Sequence, residues 1–272
     1  MGKLEKFGRW TKERGLVWTL LYAGRSLLLK LTHRLEASLI AIEKRRFLTG
    51  ERTISSVYHS AAENRKIWNT YDWSEGGEEW TRAAHEYKGL DPERWKAALI
   101  DGMMRPHIRS GSTVLEIGPG AGRWTETLQT IAGRLLIADI SEKCLAVCKN
   151  RFRERTNIEY CLIGDEGLRF AGDGRIDAIW SYDVFVHINP TIIDSYLGDV
   201  ARILRPGGVA VIHHSGTYRT ESEASLSYRS HIDGRFFARL VEKHGLRMKE
   251  QNTSLPHKPG DVISVFERPT GT

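Results

Sequence analysis

The residues best suited to chemistry are histidines near the ends of apolar runs and a group of glycines beside an acid. His187 follows the run at 176–181, and His213-His214 closes the run that starts near Gly208. An imidazole exchanges a proton near neutral pH, so each can act as a base toward a hydroxyl. Each can equally be a hydrogen-bonded packing residue. Side chains alternate across a strand, so only one of His213 and His214 can face a given pocket. The same opposition argues against a metal ion held by the pair. His214 and His187 are therefore the candidate catalytic residues, and His213 is a candidate for substrate contact.

The second constellation is Thr-Val-Leu-Glu-Ile-Gly-Pro-Gly-Ala-Gly at 113–122, with Asp139 closing the next apolar run, Leu135-Leu136-Ile137-Ala138. An apolar strand, a turn of three glycines and an acid at the end of the following strand describe a cradle for a nucleotide-type cofactor. Gly118 and Gly120 let backbone approach a ligand closely. Asp139 can accept hydrogen bonds from the two hydroxyls of a ribose.

These residues need a frame, and the chain supplies one by alternation. Strands are expected at 113–118, 134–139, 158–163, 176–181 and 208–214, with helices near 122–132, 141–154 and 190–204. Strand-helix alternation with right-handed crossovers gives a parallel, doubly wound sheet. Arg205-Pro206-Gly207-Gly208 is a tight turn into the fifth strand. A polar loop at 215–229 precedes a helix near 231–244. Runs at 246–254 and 261–268 flank a loop with Pro256 and Pro259, which predicts an antiparallel pair at the sheet edge. Asp91-Pro92-Glu93 starts a helix to about Ile108, with Asp as cap and Pro in the first turn.

Composition narrows the class. The 272 residues are 40% hydrophobic and 27% charged, as in an ordinary soluble domain. The three cysteines (Cys144, Cys148, Cys161) form no C-x-x-C pair, which argues against structural zinc and points to a reducing, cytoplasmic setting. Residues 1–50 hold 11 Lys/Arg and 4 Asp/Glu, whereas the rest hold 29 and 30. A nucleic-acid enzyme should carry its positive charge around its cleft, and this body is near neutral. Nucleic acid is not the expected partner.

Three segments are expected: a basic amphipathic helical arm at 1–50, an aromatic lid or linker at 51–90, and a catalytic domain at 91–272. In the arm, Leu16, Leu20, Leu27, Leu31, Leu35, Leu39 and Ile42 follow helical spacing. Its longest uncharged run, Gly15–Gly24, is about half the roughly 20 residues that span a bilayer. Two readings stand: a helix resting on an anionic membrane surface, or one packed on the body or on a partner subunit, a second copy of this chain included. In the second segment, Tyr71-Asp72-Trp73-Ser74 and Trp80 are too aromatic for a plain linker. Trp73 and Trp80 can cover a cofactor or staple the arm to the body.

Taken together, five segments resemble the class I S-adenosylmethionine-dependent methyltransferases. They are Glu116-x-Gly118-x-Gly120-x-Gly122, Asp139, Gly164-Asp165-Glu166, Ser181-Tyr182-Asp183 through His187, and Leu204-Arg205-Pro206-Gly207-Gly208. The resemblance covers about residues 90–268. It implies an α/β, Rossmann-like doubly wound seven-stranded sheet of order 3-2-1-4-5-7-6, strand seven antiparallel, with an N-terminal helical extension. It implies S-adenosylmethionine as cofactor, with Glu116, Gly118, Gly120, Gly122, Asp139, Ile140, Asp165, Glu166 and Ser181 around it. Asp165 would meet the adenine amino group, and Glu116 would either touch ligand or orient the loop. A dinucleotide-binding dehydrogenase is the rival, but Arg123 stands where its third glycine belongs.

Beside that resemblance, the strand-end histidines, Arg229 and the charge split point to O-methylation of a small molecule, a sugar or a lipid-linked glycan. Tyr228 and Arg229 resemble a segment that lines the acceptor pocket in small-molecule methyltransferases. The alternatives are N-methylation, a protein or nucleic-acid acceptor, or a non-catalytic scaffold recruited to a membrane.

Overall fold

The computed structural model describes residues 3–51, 60–164, 167–217, 230 and 232–271. Asp165, Glu166, Tyr228 and Arg229 lie outside the described residues. The chain divides into two compact units, Met1–Arg52 and Thr53–Thr272.

The first unit is a helical pair, α1 (Lys3–Arg14) and α2 (Leu16–Leu48). Gly15 joins them at φ 87°, a left-handed conformation that glycine adopts without strain. Trp10, Trp18 and Tyr22 cluster across the joint, with Trp18 stacked on Tyr22 at 5.1 Å. The seven apolar residues picked out by their spacing all lie on α2 and all are exposed. Among the described residues no helix is long and apolar enough to cross a membrane.

The second unit opens with α3 (Ala61–Thr70), α4 (Glu79–Lys88) and α5 (Pro92–Leu99). Asp91 caps α5 by accepting the Arg94 N–H at 2.9 Å. The helix expected to reach Ile108 changes character at Ile100–Met104, a single π turn that buries Met103 and Met104. Gly102 sits in that turn where a Cβ would stand 3.3 Å from Leu255.

Then comes the sheet: β1 (Thr113–Ile117), α6 (Thr125–Ile131), β2 (Arg134–Asp139), α7 (Glu142–Arg151), β3 (Ile158–Leu162), β4 (Ile176–Ser181), α8 (Pro190–Ile203), β5 (Leu204–Ser215), α9 (Gly234–Lys243), β6 (Arg247–Asn252) and β7 (Asp261–Glu267). The seven strands lie in the order β3-β2-β1-β4-β5-β7-β6, and β7 runs antiparallel to both neighbours. The expected architecture is the one observed.

Physical causes are visible strand by strand. β1, β2 and β4 are covered by helices on both faces, so they read as continuous apolar runs. Leu115, Leu135, Ile137, Ile179 and Trp180 are buried among them. Truncating Trp180 to Ala would cost about 3–5 kcal/mol. β5 begins at Leu204, earlier than expected, because the Arg205–Gly208 turn is absorbed into the strand with a register shift against β4. The parallel strands β1, β2, β4 and β5 end on one edge, and the site lies there.

Candidate active site

The turn after β1 is shaped by what packs on it. Gly118 has φ 70°, and a Cβ there would lie 2.2 Å from Val184 Cγ2; at Gly120 it would lie 3.0 Å from the Trp73 ring. Neither position admits a side chain. The Gly118 N–H donates to Ala138 O at 2.8 Å, tying the turn to β2.

At the end of β2, Asp139 Oδ1 accepts the Ser141 N–H at 2.8 Å, and Oδ2 accepts the Gly120 N–H at 3.3 Å. Burial pushes its carboxyl up to about 6 despite those donors. Asp139 and Ile140 line a cavity of about 880 Å³ that also takes in Gly118, Gly120 and Gly164. Trp73 and Trp80 are on its wall, brought there by α3, α4 and the loop between them. That cover is bolted to α7: Ser141 Oγ donates to Asn69 Oδ1 at 2.7 Å, and Lys143 Nζ donates to Tyr71 O at 2.6 Å.

Other expected cofactor residues lie behind the wall. Glu116 is buried, accepts the Thr125 hydroxyl at 2.5 Å, and is pushed up to about 8 by burial. Gly122 packs against Phe152, where a Cβ would stand 2.5 Å from the ring. Ser181 Oγ donates to Ile117 O at 3.0 Å, clamping β4 to β1.

The histidines separate as strand alternation requires. His214 is set apart from the cavity. It stacks on Phe237 at 3.8 Å, with Nδ1 2.8 Å from Ser215 O and Nε2 2.7 Å from Ser264 Oγ. Burial lowers its pKa to about 3, so it is a neutral packing residue there, not the expected base. His213 points the other way, its ring stacked on Tyr182 at 4.2 Å. It does not line the cavity but braces two residues that do, Tyr182 and Asp183. His187 lies on the wall, edge-to-face with Trp68 at 5.5 Å.

Several residues of the site were not singled out from sequence. Asp183 lines the cavity at φ 63°, the one non-glycine residue with positive φ among those described. Such strain concentrates at functional positions. Its Oδ2 accepts Arg123 Nη2 at 2.8 Å, and its Oδ1 lies 3.2 Å from His213 Nδ1. Burial alone would raise this carboxyl, but His257, His213 and Arg123 together hold it well below the ordinary range. Arg123 also lines the cavity, and its buried Nη1 has no hydrogen-bond partner among the described residues. His257, on the loop between β6 and β7, completes this end of the wall.

In comparison with known proteins, residues 114–208 match the model of a methyltransferase domain. The chain carries a methyltransferase domain. The demethylmenaquinone methyltransferase of Tropheryma whipplei (strain Twist) is 34% identical over 105 residues, 39% of this chain and 42% of that protein. The ubiquinone biosynthesis O-methyltransferase of Agrobacterium fabrum is 30% identical over 100 residues, 36% of this chain and 39% of that protein. The chain thus matches about two fifths of the length of these curated relatives. The geranyl diphosphate C-methyltransferase of Streptomyces coelicolor A3(2), solved with Mg²⁺, geranyl diphosphate and S-adenosyl-L-homocysteine, superposes with a TM-score of 0.58 at 14% identity. It covers 78% of this chain and 98% of that one, a likeness of fold.

S-adenosylmethionine is the cofactor of this domain, and the methyltransferase site fits it. Asp139 lines the cavity with carboxylate oxygens that would accept a sugar diol, and Gly118 and Gly120 bring bare backbone to the same cavity beneath Val184 and Trp73. The ionised Asp183 suits a cationic ligand, and the orphaned Arg123 Nη1 suits a carboxylate such as that of a methionyl group.

Proposed function

We propose that this chain transfers a methyl group from S-adenosylmethionine to a hydroxyl of a small acceptor: a small molecule, a sugar or a lipid-linked glycan. The observation that supports it most is one cavity running from Asp139 and the glycine turn to a wall with aromatic rings and histidines, Trp68 and His187 among them. The cofactor supplies an electrophilic methyl on sulfur. The protein's share is alignment and proton removal. Asp139 and the glycine turn fix the cofactor end, and the rings of α3 and α4 hold the acceptor and exclude water. Positioning of this kind supplies several kcal/mol of barrier reduction, about 7–11 at the limit. A wall histidine takes the hydroxyl proton, which contributes on the order of 10²–10⁴-fold.

The names of the two relatives, which concern quinone biosynthesis, agree with a ring-bearing acceptor. Asp183 favours a second reading, N-methylation, because an ionised carboxylate on the wall also attracts an ammonium acceptor. Radiolabelled methyl transfer to matched hydroxyl and amine acceptors separates the two. Transfer to amines alone would remove the O-methyl reading.

The same proposal places the protein in the cytoplasm, with residues 1–50 resting on a membrane surface. Its support is the exposed apolar row on α2 together with the basic charge of the arm. Flotation with vesicles of phosphatidylglycerol and with vesicles of phosphatidylcholine tests it. A concentration-dependent dimer that ignores both vesicles would assign the arm to a second copy of this chain.

A further inference from the structure

The wall beside the glycine turn holds a buried cluster of ionisable groups drawn from three separate parts of the chain. Tyr182 and Asp183 follow β4, His213 lies near the end of β5, and His257 sits on the loop between β6 and β7. Asp261 closes the cluster, 3.4 Å from His213 Nε2. Burying that many charged and polar groups is costly unless they are tightly organised. Here they are organised around two imidazole rings, one of which lines the cavity.

That ring is His257. Its Nδ1 lies 3.2 Å from Tyr182 Oη, and its own backbone N–H donates to the same hydroxyl at 3.3 Å. On the other side, its Nε2 lies 3.9 Å from Asp183 Oδ1. Trp95 packs edge-to-face on it at 5.6 Å, and Trp95 Nε1 donates to Leu255 O at 2.7 Å, which pins the loop. Lys88 Nζ, donating to Ser254 O at 2.9 Å, adds a second pin. The imidazole is thus held by a phenol on one edge and faced by a carboxylate on the other. A base oriented in this way by a third group is the arrangement that proton abstraction needs.

We propose that His257 is the residue that takes the hydroxyl proton of the acceptor, with Tyr182 and Asp183 as the residues that position it, and that the hydroxyl belongs to an aromatic ring. The inference rests on the O-methyl reading above. In the step, the acceptor O–H bond breaks and its proton passes to the lone pair on Nε2 of His257, in the tautomer whose Nδ1–H is directed at Tyr182 Oη. The freed oxygen pair forms a bond to the methyl carbon while the carbon–sulfur bond breaks and its electrons stay on sulfur. The products are an aryl methyl ether, a neutral thioether and an imidazolium. The new cation stands beside Asp183, whose carboxylate is already paired with Arg123 Nη2 at 2.8 Å. The aromatic acceptor matches a wall that includes the rings of Trp68, Tyr71, Trp73, Trp80 and Tyr196.

The test uses the full chain, S-adenosylmethionine and two probes at mildly alkaline pH: 4-nitrophenol, largely ionised, and 4-methoxyphenol, un-ionised. His257→Gln should lower kcat on 4-methoxyphenol by roughly 100-fold or more. On 4-nitrophenol, which needs no base, the loss should stay within about tenfold. Calorimetric affinity for S-adenosylhomocysteine should be unchanged. Tyr182→Phe, which keeps the ring and removes only the hydroxyl, should show the same split at smaller size. Equal loss on both probes, no loss on either, or the split appearing in His187→Gln instead would overturn the assignment of His257 while leaving the O-methyl reading intact. Wild-type protein that binds the cofactor but methylates neither phenol would overturn the aromatic acceptor and this proposal with it. Transfer to amines alone in the matched hydroxyl and amine assay would overturn the O-methyl reading as well.

Discussion

Oδ1 of Asp183 lies 3.2 Å from Nδ1 of His213, joining the ends of two adjacent strands inside the wall of the cavity. Burial opposes a charge on His213, but hydrogen bonds and charges from Asp183 and Asp261 outweigh it and raise its pKa. The carboxyl of Asp183 moves the opposite way. Stability from a lowered carboxyl is present above its unfolded value and is lost as pH falls through the folded one. Stability from a raised imidazole is present below about 6.5 and is lost as pH rises through the folded value. The pair therefore contributes most between those limits.

Asp183→Asn isolates the charge, since Asn tolerates a positive φ nearly as well as Asp. It leaves Arg123 and His213 without their carboxylate, and a broken buried pair costs about 3–5 kcal/mol. Urea unfolding at neutral pH should show that loss. A change below about 1 kcal/mol would mean that the cluster does not hold this end of the sheet.

Glu116→Gln should reveal a pH effect of opposite sense. The folded carboxyl keeps its proton to about 8, whereas the unfolded chain releases it near 4.5. Between those values stability falls as pH rises. Glutamine removes the effect, so the variant should gain on the order of 3 kcal/mol relative to wild type between pH 5 and pH 8. Urea midpoints at the two pH values measure it, and parallel midpoints would contradict it.

Gly118→Ala should clash with Val184 and strain the turn, at a cost of about 2 kcal/mol or more, and weaken S-adenosylhomocysteine binding over tenfold. Adding Val184→Ala should recover part of the stability. Calorimetry reads the affinity and thermal unfolding the stability. An unaffected single variant would show that the turn tolerates a side chain.

His214→Gln should leave turnover within about threefold, because the ring faces Phe237 and Ser264 and not the cavity. Stability should drop by about 1–3 kcal/mol through the lost hydrogen bonds. A large loss of kcat in a fully folded variant would restore His214 to the chemistry.

Much of this was legible in the chain. The apolar runs at β1, β2 and β4 announce strands buried on both faces, and Asp139 ends the run where a ligand would sit. Alternation along β5 predicts that His213 and His214 part company, but it does not say which of them faces the site. That depends on Phe237, which lies on α9, 23 positions beyond His214. Asp183 was in view within its motif, yet its contacts with His213 and Arg123 span 30 and 60 positions. His257 was hidden for a similar reason. Its contact with Tyr182 spans 75 positions, and the residues around it read simply as a proline-bounded loop.

Asn69 on the cover touches the cap of α7, and that cap lies two residues beyond Asp139. Lifting the cover would take away the partner of the Ser141 hydroxyl, whose oxygen also accepts the Cys144 N–H. The amide of Cys144 is then a built-in reporter: its hydrogen exchange should slow when the sugar pocket fills, whatever molecule is being methylated.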